Sequence, residues 1–253
     1  MRYGATVEYD GTDFAGFQLQ LNARTVQGEL EAALARLNGG ERVAVDGAGR
    51  TDAGVHATGQ VIAFTYTGRV PDEELQRAVN ALLPRDVAIR DLRRVPDGFH
   101  PRYAARYREY RYTVWNGPRS PLRERTALGV RAPLDVAAMA SAGSVLVGRH
   151  DFSSFGNTND RSPVRTVHAV RVRRDGLLVT IDVRADSFLR GQVRRMVAAL
   201  LEVGHGKMDE AELAAALAAR EPALNGAAAP AKGLCLRRVA LGRWSGDDKE
   251  DEE

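Results

Sequence analysis

The sequence predicts an α+β protein made of two ferredoxin-like halves, each a βαββαβ unit with mainly antiparallel strands, and a central cleft between the halves. Three observations carry that expectation. Strand-like and helix-like segments follow one another in the order βαββαβ from the N-terminus, and the same order restarts at about residue 102. Capping and turn residues stand at the breaks between segments. The segment types fit helices packed on one face of an antiparallel sheet, the layering that two such units share. The halves show no residue-by-residue similarity, so the repeat is one of element order only.

Taken in order, Arg2 to Tyr9 reads as the first strand. Thr25 caps a helix running to about Leu37, with Val26, Leu30, Ala33, Leu34 and Leu37 on one face. Two strands follow, near Arg42 to Ala48 and Gly59 to Thr67. Pro71 with Asp72, Glu73 and Glu74 opens a helix to about Leu83, because the fixed proline φ and first-turn acids both suit a helix start. Val87 to Val95 is the closing strand of this half. The second half opens with a long strand from Tyr103 to Asn116 and a helix from about Leu134 to Val147. A hairpin from Arg165 to Ala185 turns at Asp175-Gly176. Helices from about Phe188 to Val203 and from Asp209 to Arg220 precede a last strand, Leu234 to Leu241. The boundary is expected near residues 97 to 105, separating residues 1–101 from residues 102–245, with 246–253 as an acidic disordered tail.

Charge adds a partner class. The net charge is +3, but Asp247 to Glu253 hold six acids and one lysine, so the remainder carries +8. Between Arg85 and Arg125 eleven arginines face five acids, interleaved with Phe99, Tyr103, Tyr107, Tyr110, Tyr112 and Trp115. Cations among aromatics suit a phosphate backbone and unstacked bases, which makes the cleft a candidate RNA-binding surface. A strand with a solvated arginine face would have the same composition. No run of eighteen apolar residues and no secretory leader pattern is present, so a cytoplasmic protein with no membrane association is expected. Cys235 is the single cysteine, and five histidines show no ligand spacing, so no disulfide and no metal are expected.

The most unusual stretch is Gly47-Ala48-Gly49-Arg50-Thr51-Asp52-Ala53-Gly54-Val55-His56-Ala57. Small residues let the backbone bend and let a large ligand approach. Arg50 and Asp52 share a face if the stretch is extended, and a guanidinium beside a carboxylate suits a nucleophile or general base. A tight turn with a structural ion pair has the same residues, and the stretch alone favours that simpler reading.

Residues 49–57 resemble the signature of the TruA family of tRNA pseudouridine synthases. Four further stretches agree in order: Tyr9-Asp10-Gly11 through Gly16-Phe17-Gln18, Asp97-Gly98-Phe99-His100, Tyr110-Arg111-Tyr112, and Phe188 to Arg195. The resemblance implies isomerisation of uridine to pseudouridine in the anticodon stem-loop of tRNA, at tRNA positions 38–40. It assigns the nucleophile to Asp52, attacking either the sugar C1′ or uracil C6. It implies that Tyr110 stacks on or deprotonates the base, leaving Tyr112 to packing, and that Arg194 pairs with Asp52 or holds a phosphate. Arg190, Arg194 and Arg195 sit near a helix start, where anions rather than cations are favoured, so they read as phosphate ligands. Arg50 and Gln18 complete the expected substrate contacts, while Phe17 fits a structural role and an RNA contact equally. Gln192 and Ala198 stand where the family commonly has Met and Gly. The resemblance further implies a homodimer and a reaction that needs no cofactor. Two competing readings are an RNA-binding module without turnover and an isomerase acting on another RNA.

Overall fold

The computed structural model describes residues 1–157, 162–220 and 228–242. The first half lays down β1 (Arg2–Tyr9), α1 (Val26–Leu37), β2 (Val45–Gly47), β3 (His56–Thr65), α2 (Asp72–Leu82) and β4 (Val87–Arg94). A one-turn helix, α3 (Pro101–Ala104), leads into β5 (Ala105–Asn116), β6 (Leu128–Val130), α4 (Val136–Val145) and β7 (Gly148–Asp151). The hairpin β8 (Val164–Asp175) and β9 (Leu178–Ala185) precedes α5 (Gln192–Gly204), α6 (Glu210–Ala219) and β10 (Leu234–Leu241).

All strands belong to one sheet with the path β4-β1-β3-β10-β5-β9-β8-β7, β2 pairing with β3 and β6 with β5. Within each half the spatial order is the same. β4-β1-β3-β2 on one side corresponds to β10-β5-β9-β8 on the other, with antiparallel neighbours. The α+β class and mainly antiparallel character expected from the pattern hold. What joins the halves is a short parallel pairing, Cys235 with His56 and Leu236 with Ala57. Beyond it β10 leaves β3, and β2 takes the vacated edge at Ile62 to Phe64. The parting is tight: a Cβ on Gly59 would lie 2.2 Å from the Arg237 carbonyl oxygen, so only glycine fits there. The loop from Ala48 to Val55 rises from this fork, at the junction of the two halves.

The core follows the apolar stripes. In α1, Val26, Leu30, Ala33 and Leu34 are buried at helical spacing, and the Thr25 hydroxyl accepts from the Gly28 N–H at 3.2 Å. Burying each large apolar side chain in this stripe contributes roughly 1.5–3 kcal/mol. Phe188 to Arg190 are not helical, contrary to the sequence pattern. Gly191 takes φ +73° and the Arg190 backbone bridges Asn157, so α5 begins only at Gln192. Gln192 is fully buried and satisfied, its Oε1 accepting from the Leu189 N–H at 2.8 Å. The strand expected from Tyr103 starts two residues later because Pro101 and the capping His100 side chain wind a helical turn first. No described helix is long and apolar enough to cross a membrane. The acidic tail lies outside the described residues.

Candidate active site

Asp52 is presented by a loop whose backbone is fixed on both sides. The preceding Thr51 is buried, its hydroxyl sharing a hydrogen bond with Tyr9 Oη at 2.7 Å and its carbonyl accepting from the Phe17 N–H at 3.1 Å. The Asp52 carbonyl accepts from the Val55 N–H at 3.2 Å and the Gly54 N–H donates to Phe14. This turn needs glycine at Gly54, where φ is +75°. The facing segment needs it at Gly16, where φ is +110° and a Cβ would stand 2.8 Å from the Thr51 carbonyl oxygen. Phe17 is 2% exposed and lies under this loop against Tyr9, so its role here is packing.

The Asp52 side chain keeps 29% of its surface and faces two cations from the second half. Arg190 Nε lies 3.7 Å from Oδ1 and Arg194 NH1 lies 3.8 Å from Oδ2. Both separations exceed hydrogen-bonding range. The carboxylate therefore sits between two guanidinium groups without spending a lone pair on either. Arg194 is aimed by its Nε, which donates to the Ala229 carbonyl at 2.6 Å, while the Ala229 N–H returns to the Arg194 carbonyl at 3.0 Å. Arg190 is freer, with its side chain 75% exposed. Arg195 turns away and donates to the Phe155 and Arg190 carbonyls, which makes it part of the scaffold.

Tyr110 approaches the same carboxylate from β5. Its ring packs edge-on against Phe188 with centroids 5.4 Å apart. Burial, and then the nearby Asp52 charge, push its hydroxyl well above the usual tyrosine range. That hydroxyl has no hydrogen-bond partner among the described residues, yet it is not sealed from solvent. It is thus a neutral donor left without a described partner in a largely buried residue. Tyr112, on the same face, is fully buried and donates to the Pro230 carbonyl at 2.9 Å, which is a packing role.

Arg50 is exposed and no ion pair within 4.0 Å joins it to Asp52. The residues that face the carboxylate come instead from 138 and 142 positions away, across the junction of the halves. Gln18 is exposed at the rim of the loop that carries Gly16. Two residues not singled out by sequence reasoning hold the site together. Arg108 donates to the carbonyls of Asp186 at 2.7 Å, Ala48 at 2.8 Å and Arg102 at 3.1 Å, and burial lowers its affinity for a proton. It ties the Asp52 loop to the segment leading into Arg190. His56 accepts from the Gly11 N–H at its Nδ1, while its Nε2 faces the Arg125 and Lys232 carbonyls at 2.9 and 3.2 Å. One ring thereby links three loops. An arginine within a basic aromatic strand gives no pattern by which Arg108 could be told from its neighbours.

A carboxylate that accepts no hydrogen bond from the described residues stands between two arginines near a tyrosine hydroxyl, an arrangement that suits a nucleophile acting on an anionic substrate. Comparison with known proteins gives the family. The family model described as tRNA pseudouridine synthase matches residues 5–104 and 142–240. A tRNA pseudouridine synthase A from Brevibacillus brevis is 45% identical over 241 residues, covering 94% of this chain and 98% of that protein. The one from Moorella thermoacetica is 46% identical over 242 residues, covering 92% and 97%. The one from Geobacter sulfurreducens is 43% identical over 236 residues, covering 92% and 96%. The chain belongs to the tRNA pseudouridine synthase family, of the TruA type, and is accordingly an isomerase.

Proposed function

We propose that this isomerase converts uridine to pseudouridine in the anticodon arm of tRNA, with Asp52 as its nucleophile. The observation that carries the assignment is the Asp52 carboxylate standing between Arg190 and Arg194 without accepting a hydrogen bond from any described residue. Its lone pairs point to a ligand, and the flanking cations offset charge that builds as the base departs. Attack at C1′ or at uracil C6 leads to cleavage of the N1–C1′ bond, whose electron pair stays on the uracil. The uracil turns, C5 bonds to C1′, the bond to Asp52 breaks and returns its electron pair to the carboxylate, the C5 proton leaves to solvent and N1 gains a proton. Atoms and electrons balance without a co-substrate, so no cofactor takes part.

A base inside a stem cannot meet a half-buried carboxylate, so the uridine must leave its stack. Tyr110 receives the uracil, and its neutral hydroxyl donates to a base or sugar oxygen rather than acting as a resting base. Arg50, exposed on the loop, and Gln18 at the rim contact the displaced strand, while Arg194 holds Asp52 and a neighbouring phosphate in one frame. The working unit is a homodimer, the partner lending basic surface to the same tRNA.

Incubation with tRNA labelled with tritium at uracil C5 should release label to water, and mapping should place pseudouridine in the anticodon arm. Modification only elsewhere, or in another RNA, would overturn the substrate assignment. Light scattering at micromolar concentration should give twice the chain mass, and a monomer would contradict the homodimer.

A further inference from the structure

We propose that an opening beside Trp115 is a second RNA-binding site, which takes one nucleotide of the bound tRNA outside the target uridine and holds its phosphate with Arg119, Arg123 and Arg131. The isomerase reading supplies only the identity of the RNA. Two adjoining cavities of about 360 and 240 Å³ share Gly117, Arg119 and Arg131 as lining. The larger falls within, and the smaller just below, the roughly 300–1,000 Å³ of clefts that take small ligands. Arg119, Arg123 and Arg131 have no carboxylate of the described residues within 4.0 Å. The one acid in the lining, Glu124, is taken by Lys232. Glu124 also lies within electrostatic reach of Arg119, so one acid faces three arginines and Lys232. That excess of cations around one concavity is matched by an anion, and the planar guanidinium forks fit phosphate oxygens.

Trp115 supplies the second half of a nucleotide site. Its Nε1–H donates to the Pro118 carbonyl at 2.6 Å, which uses the ring's only donor and fixes its plane. What remains is a π-face, over which the exposed Arg123 guanidinium lies 5.7 Å from the ring centroid; a base stacks there in place of that guanidinium, which then meets its phosphate. Stacking on such a face accepts any base, as a contact outside the reacting position requires. The opening also adjoins the Asp52 loop. A Cβ on Gly54 would meet the Ala231 Cβ at 3.2 Å, and the next residue, Lys232, lines the cavity. Chain geometry then keeps the Asp52 and Lys232 Cα atoms within about 17 Å, so one bent strand can reach both. The His56 ring, bonded to the Arg125 and Lys232 carbonyls, holds this rim against the loop.

The test is equilibrium binding of an unmodified tRNA transcript over a salt series, with tritium release measured in parallel. Arg123→Ala and Arg131→Ala should each lower the slope of log affinity against log salt by about 1, and together raise KM tenfold or more with kcat within twofold. Trp115→Ala should weaken binding several-fold and leave the slope unchanged, because it removes stacking and no charge. Arg77→Ala, on the outer face of α2, should change neither quantity. Urea midpoints equal to wild type establish that the variants are folded. Unchanged affinity and slope in the double variant would overturn the proposal. A fall in mass by light scattering with an unchanged slope would overturn it in favour of an interface between copies of the chain. If the arginine variants lose slope while the wild-type protein releases no tritium, the binding site stands and the isomerase assignment falls.

Discussion

Replacing Arg108 by methionine keeps the unbranched apolar stem of the side chain and removes all three of its hydrogen bonds. Hydrogen bonds from a charged donor contribute about 1.5–3 kcal/mol each, and a sealed carbonyl left without a donor costs about 1–3 kcal/mol. Of the three acceptors, Ala48 is buried, Asp186 half-buried and Arg102 exposed, so full penalties apply to about one and a half of them. Relief from burying a charge offsets part of the loss. The expected destabilisation is therefore about 2–4 kcal/mol, read from urea unfolding. The catalytic effect should be larger than stability alone implies. Arg108 spans the Asp52 loop and the Asp186 segment that leads to Arg190, and a displacement of about 1 Å between reacting groups costs on the order of a hundredfold. Steady-state tritium release should show kcat down by that order with tRNA binding kept within a fewfold. Arg108→Lys, which keeps the charge but reaches one carbonyl, should fall in between. A methionine variant with wild-type kcat and a stability change under about 0.5 kcal/mol would refute the bridging role.

Three further outcomes follow from the same geometry. Arg194→Met should lower kcat about a hundredfold or more while KM moves little, because Arg194 is held beside Asp52 by Ala229; initial rates decide this. Gly16→Ala forces a Cβ to within 2.8 Å of the Thr51 carbonyl and a φ of +110°, so it should cost at least about 1–2 kcal/mol and tenfold in kcat, read by urea unfolding and initial rates. Tyr9, Tyr110 and Tyr112 all have hydroxyls raised above the ordinary value of 10.0, chiefly by burial. The unfolded chain then loses its tyrosine protons first. Their stabilising contribution is full below pH 10 and declines as pH rises toward the folded-state values, so the urea midpoint should drop between pH 9.5 and 11.

Local chemistry made much of the fold legible, and non-local chemistry did not. Thr25 as a cap, the Asp175-Gly176 turn and the strand at Leu234 to Leu241 are written in short windows, and each appears in the structure. The parallel pairing of His56 and Ala57 with Cys235 and Leu236 is not, because it joins segments about 180 residues apart through two residue pairs. β6 and β7 are three and four residues long, too short to show alternation. The helix expected from Phe188 starts at Gln192 because Gly191 adopts a left-handed conformation, which periodicity does not record.

The candidate site divides the same way. The glycine-rich stretch drew attention to Asp52 through composition alone, and the family resemblance supplied Tyr110 and Arg194. The partner expected two residues away, Arg50, is not the one the carboxylate faces. Proximity in sequence said little about proximity across a fork in the sheet. Arg108 and His56 act on main-chain carbonyls and amides, which carry no side-chain signature to match.

The central claim is that Asp52 performs the chemistry and does not merely bind RNA. Asp52→Asn keeps the size and the turn while removing the negative charge between Arg190 and Arg194. With tRNA tritiated at uracil C5, the variant should bind as the wild-type protein does and release no label above background. Label release by Asp52→Asn within tenfold of the wild-type rate would contradict the account.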